Sequence, residues 1–446
     1  MNKDIPNILL VNPWIHDFAA YDFWAKPVGI LTLASILRDS GYEVTYIDCL
    51  DRFHPKAPGS NSKIRYGRGP FLKTQIPKPE GFEKIPRKFS RYGIKPEWFM
   101  EDLASIKRPD LILVTSLMTY WYPGVQETIG LIKKIFPDTP VVLGGIYASL
   151  CYDHAVNNSG ADVVMPGLFE KKIIDLAEKY TGFSAKKSCG SKENNDFNIP
   201  AFDLQRKITY VPLITSRGCP FSCSYCASGF LNPKHILRPP ESVVSEIIYW
   251  HKKYNVKDFI FYDDALLIDS GIHAIPILKK IIDSNIKIRF HTPNAIHIRQ
   301  ISKELAQIMF KAGFKTLRLG LETAAFEDRT KIDNKVTADE FKRSVNFLKG
   351  AGFKKNQIGA YLLAGLPGQT MKSIENSIAA VKDSGITPIL AYYSPIPHTA
   401  MWKEAVACSD YDLESDPVFT NNAVFPCFGQ AFSWKAISHL KNLARG

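Results

Sequence analysis

Cysteine is sparse in this chain, with eight in 446 residues. Spread that thinly, and with no apolar leader and cleavage site at the start, they exclude a secreted disulfide framework. Long apolar runs are missing too. No stretch of 18 or more uncharged apolar residues occurs, so nothing reads as a membrane-spanning helix. The opening residues run directly into a strand pattern at Ile8–Asn12. Together these absences imply a cytoplasmic protein. Stability then rests on buried apolar surface, and 45% hydrophobic residues over this length suffice for two or three domains with real cores.

Acidic residues are scarce in one place. The net charge is +12, and residues 51–100 hold twelve Lys/Arg against four Asp/Glu, a local excess of eight. The stretch is also rich in Pro and Gly between Pro55 and Pro96. One reading is a nucleic-acid contact, with Tyr66, Phe71, Phe82, Phe89, Tyr92 and Trp98 stacking on bases. The other is a solvated insertion docked on the second domain.

What is present is a strand–helix alternation. Ile8–Asn12, Glu43–Asp48, Asp110–Ser116, Pro140–Gly145 and Asp162–Met165 read as buried strands. Helical patterns fall at Val28–Ser40, Gln126–Phe136 and Glu170–Tyr180. Continuous apolar strands separated by helices imply a doubly wound parallel sheet over residues 1–182. Ligands of such sheets sit at the carboxyl ends of the strands. Residues 183–205 are polar and turn-rich, as a linker is. Six wider β/α units then follow. Their strands are expected at Pro212–Ser216, Asp258–Tyr262, Ile286–His291, Thr316–Leu321, Ile358–Leu363 and Ile386–Tyr393. Such units fit a partial (β/α)6 barrel over residues 206–405, with its chemistry at the carboxyl ends of the strands. Residues 406–446 are aromatic, lack a clear period and are expected to cap the barrel mouth.

Cys219, Cys223 and Cys226 follow the first barrel strand in a C-x3-C-x2-C order. Three thiolates on one loop can hold three irons of a [4Fe-4S] cluster and leave the fourth iron without a protein ligand. An open site beside a one-electron donor can bind and reduce a substrate. Zinc is the competing reading, but it wants a fourth ligand close by, and no further CxxC pair or His-x3-5-His string lies near. Cys49, Cys151, Cys189, Cys408 and Cys427 are scattered and read as ordinary thiols, Cys408 and Cys427 being at most an auxiliary pair.

The cysteine spacing, with Tyr225 just before the last thiol, resembles the cluster motif of the radical S-adenosylmethionine (SAM) enzymes. Further segments recur in the family's order. Tyr262-Asp-Asp-Ala-Leu-Leu-Ile-Asp269 resembles its FxDDxFxxD loop, Gly320-Leu-Glu-Thr323 its G-[IL]-E-[ST] segment, and Ala364-Gly-Leu-Pro-Gly-Gln-Thr370 its GLPGQT loop. Tyr393-Ser-Pro-Ile-Pro-His-Thr399 resembles YxPxPGT, with His398 where Gly is usual, and His tolerates positive φ less well. The resemblance implies SAM contacts from Tyr225, Asp263, Asp264, Glu322, Gly365 and Pro367. An ammonium wants acceptors, which Asp263 and Asp264 supply. These aspartates could equally cap a helix.

Residues 1–182 resemble the cobalamin-binding, Rossmann-like domain found ahead of the barrel in one subclass. The likeness is carried by Lys26-Pro-Val-Gly-Ile-Leu-Thr-Leu-Ala-Ser-Ile-Leu-Arg38, by Val142-Val-Leu-Gly-Gly145 and by Met165-Pro-Gly167. It implies cobalamin near Asn12, Pro13, Thr115, Ser116, Gly144, Gly145 and Gly167. The Asp-x-His-x-x-Gly string that supplies a lower histidine ligand is absent, and His16 reads as a plain loop histidine. A sheet that binds nothing and only docks on the barrel is the alternative.

The resemblance implies reductive cleavage of SAM to methionine and a 5′-deoxyadenosyl radical, then radical chemistry on an unactivated C–H bond. With cobalamin, the expected outcome is methyl transfer. It also implies a small-molecule or lipid-like substrate and an electron donor such as a flavodoxin or ferredoxin. An RNA-modifying enzyme without cobalamin and a non-catalytic iron–sulfur protein are the other readings. No residue is singled out as catalytic beyond the cofactor contacts.

Overall fold

The computed structural model describes residues 5–59, 65–185, 197–429 and 433–445. Residues 186–196 of the expected linker, Cys189 among them, lie outside these. The chain divides into two units, Met1–Thr209 with Ser415–Phe419, and Tyr210–Glu414 with Thr420–Gly446.

The first unit is built on five parallel strands: β1 (Asn7–Asn12), β2 (Glu43–Asp48), β3 (Leu111–Val114), β4 (Val141–Leu143) and β5 (Val163–Val164). Their order is β2-β1-β3-β4-β5. Every residue of β1, β3 and β4 is buried, as expected of strands with helices on both faces. The order reverses between β1 and β3, which places a crevice at their carboxyl ends. The helix Val28–Asp39 turns its apolar stripe inward and ends at Gly41, whose φ of +92° an L side chain resists.

The basic stretch is organised rather than open. Ser90–Tyr92 is the central strand of a small antiparallel sheet, pairing with Ile15–Asp17 on one side and Lys73–Gln75 on the other. Phe71, Phe82, Phe89 and Tyr92 are buried. Phe82 and Phe89 pack on Phe18, with ring centres 5.6 and 5.0 Å apart, and Trp98 stacks on His54. Rings committed to a core cannot splay onto bases. Stacking on bases is therefore not open to Phe71, Phe82, Phe89 and Tyr92.

The second unit is a six-stranded parallel sheet, ordered in sequence from β6 (Val211–Leu213) through β7 (Asp258–Phe261), β8 (Arg289–His291), β9 (Phe314–Glu322) and β10 (Ile358–Ala364) to β11 (Thr387–Tyr392). This is the partial barrel. Three of its helices start on side-chain caps, from Ser302, Thr337 and Thr370. The segment expected to lack a period in fact ends in the helix Trp434–Arg445. It packs against Met371–Asp383 and β11, beside the sheet edge. Its inward stripe is short, with Ile437 and Leu440 buried, which is why the period is faint in sequence. Among the described residues no helix is long and apolar enough to cross a membrane.

Candidate functional site

A cavity of about 370 Å³ opens in the second unit, and Cys219, Cys223 and Cys226 all line it. The loop that carries them leaves β6 and is held from behind. Thr215 and Ser216 each give an amide and a hydroxyl to Asp263 Oδ1. Gly218 takes a φ of +75°, and a Cβ there would meet the Lys234 carbonyl at 2.4 Å. Further along, the Ser224 amide and hydroxyl donate to Ile332 O at 3.0 and 3.1 Å. The geometry thus fixes the loop before any ligand arrives.

The two aspartates expected to meet the SAM ammonium part company. Asp264 is exposed into the cavity and accepts from Ser228 Oγ at 2.5 Å. Asp263 lies behind the cysteine loop, 4% exposed, as the acceptor for Thr215 and Ser216. Glu322 and Tyr225 face the cavity, whereas Gly365 and Pro367 do not line it. The Gly365 amide is taken by Gln369 Oε1 at 2.8 Å, and a Cβ on Gly365 would strike the Phe428 ring at 1.9 Å. Gln369 and Thr370 are thereby explained as a loop staple and a helix cap. His398 does take a positive φ, +67°, and its ring stacks flat on Phe230 at 4.2 Å.

Glu322 is a strained residue at the carboxyl end of β9. Its φ is +60°, a conformation that costs a non-glycine residue on the order of 1–2 kcal/mol. Buried Arg329 holds it there, donating to Leu321 O at 2.6 Å and Thr323 O at 2.8 Å on either side. Burial raises the Glu322 carboxyl, against the pull of the Lys335 charge.

Sequence reasoning missed several lining residues, His297, Lys335, Asn294 and Tyr361 among them. His297 and Asn294 follow β8, where a barrel places ligand contacts, so strand order alone pointed there. Nothing local marks Lys335. Burial opposes its charge, yet Glu322, Cys223 and Asp333 outweigh that and raise its pKa. Burial raises all three cysteine thiols, and Lys335 pulls each back. Burial, with the nearby Lys335 and His235, holds His297 down to about 4.

The second aspartate position yields a stability prediction. Burial pushes Asp263 up to about 6, against the hydrogen bonds from Ser216 and Thr215, while an unfolded Asp titrates near 3.9. The folded state therefore holds a proton that the unfolded state releases. Stability falls as pH rises from about 4 to about 6, and the penalty, at most on the order of 3 kcal/mol, persists above that window. Asp263→Asn keeps the Oδ1 acceptor and places its amide at Oδ2, an atom without a hydrogen-bond partner. Its urea midpoint is expected to match wild type at pH 4 and exceed it at pH 8. Equal midpoints at pH 8 would refute this.

In the first unit the expected cobalamin residues build the strand-end loops. Asn12 Nδ2 donates to Asp48 Oδ1 at 2.7 Å, beside Pro13 at the end of β1. Thr115 gives its amide to Val11 O, and Ser116 Oγ donates to Gly144 O at 2.7 Å. Gly145 has a φ of +99°, and a Cβ on it would meet Ser116 O at 2.3 Å. Gly144 and Gly167 are open by comparison. A Cβ on Gly144 meets only Met165 O, at 3.7 Å, and one on Gly167 meets nothing within 4 Å. Met118, Ile146 and Leu168, on the segments that follow β3, β4 and β5, are exposed. A separate cavity of about 690 Å³ lies where the segments after β1 and β3 begin, lined by His16, Phe89, Tyr122 and Asp416. None of the seven expected residues lines it. His16 is paired with Glu127 at 2.8 Å. Open glycine faces and an apolar rim at strand ends suit a broad, part-apolar ligand such as a corrin.

These two folds, a Rossmann-like sheet and a partial barrel with a three-cysteine loop, define a class. Residues 213–381 match the radical SAM superfamily and residues 91–176 match the B12 binding domain. The chain thus carries a radical SAM domain over residues 213–381, with a B12-binding domain over residues 91–176 ahead of it. It is 24% identical over 339 residues to an anaerobic magnesium-protoporphyrin IX monomethyl ester cyclase of Rubrivivax gelatinosus, covering 68% of this chain and 60% of that protein. An uncharacterized methyltransferase of Pyrococcus horikoshii is 25% identical over 346 residues, covering 71% and 74%. The fold is that of the radical SAM methyltransferase TsrM from Kitasatospora setae, solved with cobalamin and a [4Fe-4S] cluster, at a TM-score of 0.68 and 17% identity over 98% of this chain and 91% of that one. The chain thus spans about 60% of the length of the first of these relatives. The radical SAM domain implies a [4Fe-4S] cluster and SAM, and the B12-binding domain implies cobalamin.

Among the described residues no three His, Cys, Asp or Glu side chains converge on a single-ion site. Three thiols on one loop that line a single cavity are the donor set that three irons of a [4Fe-4S] cluster take.

Proposed function

We propose that this protein is a radical SAM enzyme that cleaves SAM reductively and delivers a methyl group, by way of cobalamin, to an unactivated carbon. The observation that carries the reading is the meeting of Cys219, Cys223 and Cys226 with Tyr225, Asp264 and Glu322 in one cavity at the carboxyl ends of the barrel strands. When bound, the cluster supplies one electron to the sulfonium of SAM, and cobalamin supplies a methyl carrier. The three cysteines would hold the cluster. Asp264 offers acceptors to an ammonium group, and Lys335 offers a cation to a carboxylate. The apolar walls from Phe221 to Ala391 limit water. The substrate class, a small or lipid-like molecule, and a flavodoxin- or ferredoxin-type electron donor complete the proposal. The two relatives' names, a methyltransferase and a cyclase, differ in outcome while both fit radical chemistry.

The test is anaerobic purification with SAM and cobalamin, followed by iron and sulfide assay, corrinoid spectrum and analysis of SAM products. Four irons per chain, a bound corrinoid and SAM-derived products under reductant are the expected results. A chain that assembles the cluster yet retains no corrinoid would remove methyl transfer and leave the reductive cleavage.

A further inference from the structure

Nitrogen donors and a cation gather around the three cysteine sulfurs. Cys226 Sγ accepts the Ser228 amide at 3.4 Å, a contact made by the turn itself. Two further groups are side chains from distant segments. His297 Nε2 stands 3.9 Å from Cys219 Sγ, and Lys335 lines the same cavity as Cys223, its charge drawing that thiol's pKa down.

Neither side chain is needed to shape the loop, which is held by Asp263, by Ile332 O and by the Met401 amide on Ser224 O. Both are nonetheless fixed in place. The His297 ring is 6% exposed and stacks on Phe221 at 4.7 Å, and its Nδ1 has no hydrogen-bond partner. With no partner at Nδ1, the tautomer that uses the ring is the one with its proton on Nε2, aimed at sulfur. Lys335 Nζ donates to Tyr225 OH at 3.1 Å and sits 5.5 Å over the Tyr225 ring. The cation therefore cannot swing into water without giving up these contacts.

Reduction adds one negative charge to a cluster and its sulfurs. Hydrogen bonds to those sulfurs and a cation beside them favour the reduced state. We propose that Lys335, by its charge in the cavity that Cys223 lines, and His297, by an N–H···S contact to Cys219, are positioning residues that raise the reduction potential of the cluster. The proposal rests on the cluster assignment made under the proposed function. The step it governs is the entry of one electron from a low-potential iron–sulfur or flavin donor, with no bond made or broken.

The experiment is a mediated redox titration of the reconstituted protein, read by EPR alongside an iron count. Lys335→Met is expected to lower the reduced-to-oxidised ratio at the wild-type midpoint about tenfold, equivalent to about 59 mV for one electron. His297→Phe, which keeps a ring for Phe221 to stack on, shifts the midpoint in the same direction. Lys335→Arg and His297→Gln, which retain the charge or an N–H, move it back toward wild type. Unchanged midpoints in Lys335→Met and His297→Phe, with four irons retained, overturn the proposal. A merely structural role would move iron content and leave the potential in place. Wild-type protein that assembles no cluster sinks the cluster assignment itself, before any potential is read. Should either variant fail to fold, pulsed EPR of unaltered protein carrying 15N-histidine decides the histidine half. A nitrogen coupled to the reduced cluster supports it, and none overturns it.

Discussion

Cys223→Ala is expected to lose the cluster's absorbance and to bring reductive SAM cleavage down to background, while the chain stays folded. The physical case is ligand count. Three thiolates leave one iron free, so a loop reduced to two leaves a second iron without a protein ligand and the cube unsupported. Stability should change little, within about 1 kcal/mol, because the truncated group lies on a cavity wall and the loop is held by other bonds. Those bonds are the Ser224 contacts to Ile332 and the Asp263 contacts to Thr215 and Ser216. Cys427→Ala is the matched control. Cys427 is as buried as Cys223 but lies outside the cavity, with its thiol 3.8 Å from Ala405 O. It should keep both cluster and cleavage. The measurement is the anaerobic visible spectrum with 5′-deoxyadenosine or methyl-product analysis. Undiminished cleavage by Cys223→Ala would remove the cluster from this loop.

The fold was largely legible because its strands are short continuous apolar runs between turn signals. The runs at Ile8, Leu111 and Val141 can only be interior strands of a covered sheet. Helix ends were legible where the stop signal is local, as at Gly41 just beyond Val28–Asp39. The C-terminal helix escaped notice because its buried stripe is too short to show a period. The site was legible in its motifs but not in its facing. Asp263 and Asp264 are neighbours, and which one turns inward is decided by donors on the loop after β6, some 48 residues away. Lys335 was invisible for a related reason. Its place depends on buried Arg329 drawing the segment after β9 back onto Leu321, Thr323 and Asp333. Long-range clamps of this kind leave no mark on local sequence. They come from tertiary packing, which composition and spacing do not encode.

The glycine pair after β4 was read as one motif, but the two residues face different constraints and should separate on mutation. Gly145→Ala must find room for a methyl group 2.3 Å from Ser116 O and 2.6 Å from Ser116 N, at a φ of +99°. The obstacle is backbone that also receives the Ile146 amide, so relief requires moving the end of β3. Backbone strain of this kind costs about 1–3 kcal/mol before any packing is lost, and the clash adds to it. The variant is expected to destabilise the first unit by several kcal/mol, roughly the range reserved for buried clashes. Gly144→Ala meets only Met165 O, at 3.7 Å, and should fold with a urea midpoint close to wild type. If the open face of Gly144 lies under a corrin, that same methyl group stands between ring and backbone, and corrinoid retention drops without loss of fold. Measuring unfolding and the corrinoid spectrum on both variants separates a glycine kept for packing from one kept for ligand approach. A Gly144→Ala chain that binds corrinoid as tightly as wild type would move the cofactor off this loop. The 690 Å³ cavity bordered by His16 and Tyr122 would then be the place to look.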